Sequence, residues 1–339
     1  SFRQNIVLAL SVFLFILTKV RLLSCDKYVQ CFALLARWYV EDKDATIIYY
    51  QDYLHPWINS DKYTGEKICE FIIDIGSSDE NWGKSVLAIR SASCVVVPTR
   101  KLWGIIKNVR SDLNVVHAPY GGDLVQYAGR NANNSKLYTT WKDKTINWHR
   151  KKESIIVARC NTFRKGADRL FEIVKHLEDL YGNAEDVRIH ETKLNIVIAG
   201  RVEETELAMQ YNSLLTHLSK RKIIEMYTLD FDVDTYWMLL AQADMFIMLS
   251  RKESASLAAL EALWSGVPSF ITTECGIDVF ENNKHGIVAD CNDLENLAYK
   301  IHRVLTAERE TLSMWRENLL RDKNRFTWEN YIDRYQDLL

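Results

Sequence analysis

The stretch that most constrains this chain runs from Met245 to Pro268. Met245-Phe246-Ile247-Met248-Leu249 is a wholly apolar run of strand length, the pattern of a strand buried on both faces. After the loop Ser250-Arg251-Lys252-Glu253, small and helix-forming residues extend from Ser256 to Ser265, with serines available to cap the start. Gly266 stands where a left-handed C-terminal cap is wanted, and Pro268 bars continuation. Strand, short loop, helix and sharp stop form one half of a βαβ unit.

Two carboxylates flank the turn, Glu253 in the loop and Glu261 inside the helix. Ligands of parallel α/β sheets bind beyond the carboxyl ends of the strands, and a helix N-terminus there offers free N–H groups to a phosphate. Taken alone, the same acids are explained equally well by helix-dipole complementarity plus one exposed helical glutamate.

The rest of the chain repeats the rhythm. Strands are expected at 45–50, 69–73, 94–97 and 114–118, with helices over 27–41, 80–91 and 99–109. A polar, Asn- and Lys-rich segment at 128–152 interrupts them, and Asn133-Asn134-Ser135 within it is a chance sequon in a thiol-rich chain. A second series follows: strands at 154–158, 194–199, 223–227, 245–249, 269–272 and 286–288, with helices over 167–180, 203–219, 235–243 and the C-terminal region. Such alternation means parallel sheets, and 339 residues suffice for two domains with separate cores.

Charge and cysteine usage exclude several classes. A net charge of −2 supplies no overall field for nucleic acid. Seven scattered cysteines without a CxxC pair argue for reduced thiols rather than a disulfide framework or zinc ribbon, and the histidines lack metal-ligand spacing. The run Ile6–Leu17 is short for a bilayer span; it is expected as a buried element of the first domain, with anchoring on a membrane surface as the alternative. In Asp230-x-Asp232-x-Asp234, just ahead of a helix, Asp232 or Asp234 is expected as an N-cap rather than a metal ligand.

Arg159 and Lys165 stand just after the strand 154–158, and Gly166 opens the next helix. Parallel strands share a direction, so this loop and the Glu253 loop fall on one sheet edge. Two cations and a helix N-terminus at one crevice suit a pyrophosphate; a solvated basic loop is the alternative for the cations alone.

Four blocks in order then carry a resemblance: Ala158-Arg159…Lys165-Gly166; Leu239 to Arg251; Glu253-x₇-Glu261; and Gly266-Val267-Pro268. Together they resemble the donor half of retaining GT-B glycosyltransferases of the family-4 type (glycosyl transferases group 1). Val95-Val96-Val97-Pro98-Thr99 and Pro119-Tyr120-Gly121-Gly122-Asp123 resemble the end of that family's first domain. The resemblance covers most of 45–335 and implies an α/β chain of two Rossmann-like domains facing across a cleft. The expected divisions are an acceptor-side domain over 1–147, a nucleotide-sugar domain over 148–320, and a C-terminal helix at 321–339 returning toward the first domain. It further implies that Arg159 and Lys165 bind the donor diphosphate, that N–H groups of Ser256 and Leu257 add contacts, that Glu253 holds sugar hydroxyls and that Glu261 holds the ribose. The donor would be a UDP- or GDP-linked sugar, with no cofactor and no metal. The acceptor would be a carbohydrate, a lipid-linked group or a protein, and the location cytoplasmic, with peripheral membrane contact as an option.

Two positions depart from the family pattern. No glycine-rich loop precedes residue 45, so the first domain looks short. Asp74 stands at a strand end where the family commonly places a histidine near the reacting sugar; it either orients an acceptor hydroxyl or is a turn residue. These departures define the second reading, a catalytically inactive subunit that binds or scaffolds. A nucleotide-sugar epimerase is the third.

Overall fold

The computed structural model describes residues 47–50, 67–70, 86, 89–123, 153–182, 193–220, 223–229 and 233–336. Several sequence expectations lie outside these residues: the apolar run 6–17, the helix 27–41, Asp74, the whole segment 128–152 with its sequon, Asp230 and Asp232, and the boundary at 147/148.

The chain forms two compact units, 1–117 and 118–339. In the first, β1 (Ile47–Tyr50), β2 (Lys67–Glu70), β3 (Cys94–Val97) and β4 (Asn114–His117) form a parallel sheet in the order β1-β2-β3-β4. All four residues of β3 are buried, as a strand covered on both faces requires. Thr99 caps the following helix α1 (Arg100–Val109), accepting from Leu102 N–H at 3.3 Å, and Leu102 and Ile106 pack on Val95 and Val97.

Among its described residues the second unit holds six parallel strands: β5 (Glu153–Ala158), β6 (Lys193–Ala199), β7 (Ile224–Leu229), β8 (Met245–Met248), β9 (Ser269–Ile271) and β10 (Gly286–Val288). Their order is β10-β9-β8-β5-β6-β7. The chain winds outward from β5 in one direction through β6 and β7, then returns to β8 on the other side and proceeds to β10. The switch point therefore lies between β5 and β8, the place where doubly wound sheets open a crevice. This unit's helices are α2 (Ala167–Gly182), α3 (Thr205–Leu218), α4 (Val233–Gln242), α5 (Leu257–Trp264), α6 (Leu294–Thr306), α7 (Arg309–Arg321) and α8 (Trp328–Gln336).

Period-two alternation in β5 divides the core. Ile156 and Ala158 face a layer built from α2, α3 and α6, while Ile155 and Val157 face α4 and α5. Asp234, one of the two expected N-caps, is instead the second residue of α4.

The segment 118–123 belongs to the second unit. Tyr120 stacks on Trp328 at 5.5 Å, Gly122 N–H donates to Phe326 O at 2.8 Å, and buried Asp123 accepts the Trp328 N–H that opens α8 at 2.7 Å. The two glycines are needed for close approach: a Cβ on Gly121 would stand 2.1 Å from Trp328 N, and one on Gly122 would stand 2.3 Å from Leu260 O. The C-terminal helix is thus held beside α5.

A charged clasp fastens the turn before β10 to the end of α7. Glu281 N–H donates to His285 Nδ1 at 3.1 Å, so the neutral ring carries its proton on Nε2 and donates to Asp322 Oδ2 at 2.9 Å. Lys284 reaches Asp322 at 2.7 Å and Glu281 at 3.1 Å, and Arg325 also pairs with both acids. Ligand-type atoms of Glu281, His285 and Asp322 lie within 4.8 Å of one another, but these two cations already neutralise the carboxylates. Hydrogen bonding from Lys284 is the main influence holding the Asp322 carboxyl down at about 2, and burial depresses His285. Both shifts have one sign. Each group holds fewer protons folded than unfolded, so stability is present above the ordinary values and falls as acid is added. Melting temperatures of the wild type and Asp322→Asn should therefore differ at pH 7 and converge toward pH 2–3; a constant difference would rule out this linkage.

Candidate functional site at the strand ends

A cavity of about 790 Å³ opens where β5 and β8 end, lined by Arg159, Asn161, Lys165, Gly200, Tyr236, Glu253 and the first turns of α5 through Glu261. Parallel register accounts for the convergence, since Ala158 lies beside Ile247 and the loops after β5 and β8 leave the same sheet edge.

Arg159 directly follows β5, with its N–H tied to Ile247 O at 3.0 Å and its guanidinium donating to Ala199 O at the end of β6. Gly200, at φ 111°, leaves room for it; a Cβ there would stand 2.9 Å from Arg159 Nη1 and 2.8 Å from Asn161 Nδ2. Lys165 sits on the turn into α2. Burial is the main influence lowering its pKa; neighbouring Arg159 lowers it further, and Glu253 pulls the other way. Both cations line the cavity with part of their surface open.

Ser256 caps α5 from extended backbone, its Oγ accepting from Ala259 N–H at 3.3 Å. The expected use of its backbone N–H needs correction, because that group donates to Cys275 O at 2.9 Å. As the N-cap, its N–H points back into the loop rather than along the helix. The first intrahelical bond runs from Leu260 N–H to Ser256 O, which leaves the amides of Leu257 and Ala258 facing the cavity end of α5.

Glu253 has a side chain 15% exposed. Its Oε1 meets Arg164 Nη1 at 2.8 Å and Ser250 Oγ at 3.2 Å. Glu261, just over one turn into α5, lies near Arg159 and Tyr236. Burial pushes its carboxyl up to about 7, and Arg159 draws it part of the way back. A carboxyl raised by burial stabilises the fold only while protonated, so its contribution is complete below pH 4.5 and lost as the pH rises through about 7. Glu261→Gln, which stays neutral, should melt several degrees above the wild type at pH 8 and close to it at pH 4.5, a gain of about 2–3 kcal/mol. Melting curves at the two pH values check this; an equal difference at both would exclude it.

Six of the seven singled-out residues, Arg159, Lys165, Glu253, Ser256, Leu257 and Glu261, therefore line one cavity; Asp74 is outside the described residues. Several cavity-side partners were not singled out. Arg164 looked like one more cation of a solvated loop, yet it pairs with Glu253. Arg251 makes a bidentate pair with Asp168 at 2.7–2.8 Å and lies 3.8 Å over the Phe163 ring. No spacing rule announces pairs separated by more than eighty residues. Tyr236 is hidden in the apolar pattern of α4.

Residues 139–321 match the family described as glycosyl transferases group 1, over half of the chain. The chain belongs to that family. A curated relative, a sucrose synthase of Melioribacter roseus, is 25% identical over an alignment of 182 residues that covers 49% of this chain and 23% of that protein. This chain thus spans about a quarter of its relative's length. Among solved structures, a UDP-forming α,α-trehalose-phosphate synthase from Burkholderia xenovorans superposes with a TM-score of 0.69 at 13% identity, covering 91% of this chain and 77% of the other. The N-terminal domain of a Candida albicans trehalose-6-phosphate phosphatase gives 0.69 at 15% identity, covering 91% and 72%. At such identities the likeness shows the fold alone, the GT-B type of α/β chain with parallel sheets. No helix among the described residues is long and apolar enough to cross a membrane.

Proposed function

We propose that this group 1 family member transfers a sugar from a UDP- or GDP-linked donor to a carbohydrate, lipid-linked or protein acceptor, with retention of anomeric configuration and without a metal ion. The observation that carries this reading is that one cavity holds both kinds of group: the cations Arg159 and Lys165 with the open amides of α5, and the carboxylates of Glu253 and Glu261. Phosphate oxygens need cations and N–H donors. Hydroxyl pairs need carboxylates that accept from both.

In this reading Arg159 and Lys165 hold the diphosphate and the α5 amides complete its hydrogen bonding. Glu253 accepts from hydroxyls of the transferred sugar, and Glu261 accepts from the ribose. Transfer develops positive charge at the anomeric carbon and negative charge on the departing phosphate. Fixed cations and amides favour that state over the ground state because they need no reorganisation. They supply the charge compensation that a divalent ion supplies in other sites, which is the basis for proposing metal independence. Retention rests on the family. A UDP donor is favoured by the UDP-forming trehalose-phosphate synthase that shares the fold. The buried thiols of Cys160 and Cys275 fit a reducing, cytoplasmic setting.

The test is a melting-temperature panel with UDP, GDP and their sugars, followed by product analysis in EDTA. Binding at a hundredfold excess over Kd should stabilise the chain by about 2.7 kcal/mol. Absence of any nucleotide effect overturns the reading. Binding without transfer to any acceptor, and without donor hydrolysis, would instead favour an inactive binding subunit.

A further inference from the structure

Beyond the groups assigned to the donor, we propose that Arg164 is a positioning residue for Glu253 and thereby sets which sugar the site accepts. The inference rests on the reading of Glu253 as the sugar-hydroxyl acceptor. Its ground is a clamp between two loops. Arg164 Nη1 lies 2.8 Å from Glu253 Oε1 and donates to Lys252 O at 2.8 Å, so a single guanidinium nitrogen bridges a backbone carbonyl and the adjacent carboxylate. Ser250 Oγ donates to the same Oε1 at 3.2 Å, and Glu253 N–H is fixed to Glu274 O at 3.0 Å. Arg251 N–H returns a bond to Arg164 O at 2.8 Å, which closes the connection between the loop after β5 and the loop after β8.

With both the backbone and Oε1 held, rotation of the Glu253 carboxylate is restricted. Oε2 is the oxygen left to accept from a ligand, along a direction that the clamp determines. A carboxylate fixed in direction distinguishes an equatorial from an axial hydroxyl, whereas a freely rotating one accommodates both. The half-exposed guanidinium contributes little as a surface ion pair. Its value lies in orientation.

Nucleotide and sugar-nucleotide binding separate the possibilities. Kd values for UDP, GDP, UDP-glucose and UDP-galactose should be measured for the wild type, Arg164→Met and Arg164→Lys, with kcat and KM for the two sugars. Arg164→Met should bind the nucleotide diphosphate as the wild type does. It should lose about tenfold of the additional affinity contributed by the sugar and show a narrowed ratio between the epimers, and Arg164→Lys should restore part of both. An unchanged sugar increment and epimer ratio in Arg164→Met overturn the proposal. Loss of nucleotide binding in Arg164→Met, with no recovery in Arg164→Lys, also overturns it, because Arg164 would then be holding the loop and not the carboxylate. A wild type that binds no nucleotide removes the donor-site reading itself, and this inference with it.

Discussion

Arg159→Ala should lower the rate of sugar transfer by about 10²–10³-fold, the typical cost of deleting one preorganised donor aimed at developing charge. Its position follows from a chain of constraints. β5 is central in the sheet, the Arg159 N–H is tied to Ile247 O, and the guanidinium rests on Ala199 O over a glycine that leaves it space. Alanine removes the cation while leaving the β5–β8 pairing intact, so melting temperature should change little and kcat should carry the loss. Lys165→Ala should act in the same direction. The double variant should fall by less than the product of the two, because in the proposed reaction both cations would serve one leaving group. Steady-state rates with the donor found by the melting panel check this. Unaltered turnover in the double variant would show that the cations take no part.

Gly166→Ala should have the largest effect on stability, about 3–5 kcal/mol of the second unit, from backbone strain added to steric overlap. Gly166 has a φ of 81°, and a Cβ there would stand 2.3 Å from Leu249 O and 2.8 Å from Leu249 Cβ. Relief requires moving the end of β8 away from the turn into α2. That motion would strain the Arg169 bond to Leu249 O at 2.9 Å and the Arg251 bond to Arg164 O at 2.8 Å. It would also separate Lys165 from Glu253, so nucleotide affinity should decline together with stability. Chemical denaturation of Gly166→Ala and of Gly104→Ala, whose Cβ meets nothing within 4 Å, gives a direct comparison. Similar stabilities for the two variants would contradict the steric account.

In the role proposed for it, Glu261 would oppose stability. Burial works against the ionised form that its proposed acceptance from two hydroxyls would require. The stabilising Glu261→Gln substitution should accordingly weaken nucleotide-sugar binding, a local conflict of the kind expected at sites rather than in cores.

Local and periodic information was sufficient for the α/β class and for most of the described elements to within two residues; the family resemblance added the set of six residues that line one cavity. The apolar run Met245–Met248 and the largely apolar Leu194–Ala199 read as strands covered on both faces and are found so, and Gly266, at φ 77°, ends α5 where the sequence places its stop. Parallel direction then brings the loops after β5 and β8 to one edge without knowledge of a single distance. The tertiary structure alone decided how each side chain is used. Arg164 pairs with Glu253, Arg251 with Asp168, and the Ser256 amide with Cys275 O, each across a long sequence separation. Propensity and spacing encode neighbours along the chain. The partners of a charge or an amide depend instead on which loops the sheet order places side by side, and that order, β8 returning beside β5, is a property of the folded unit.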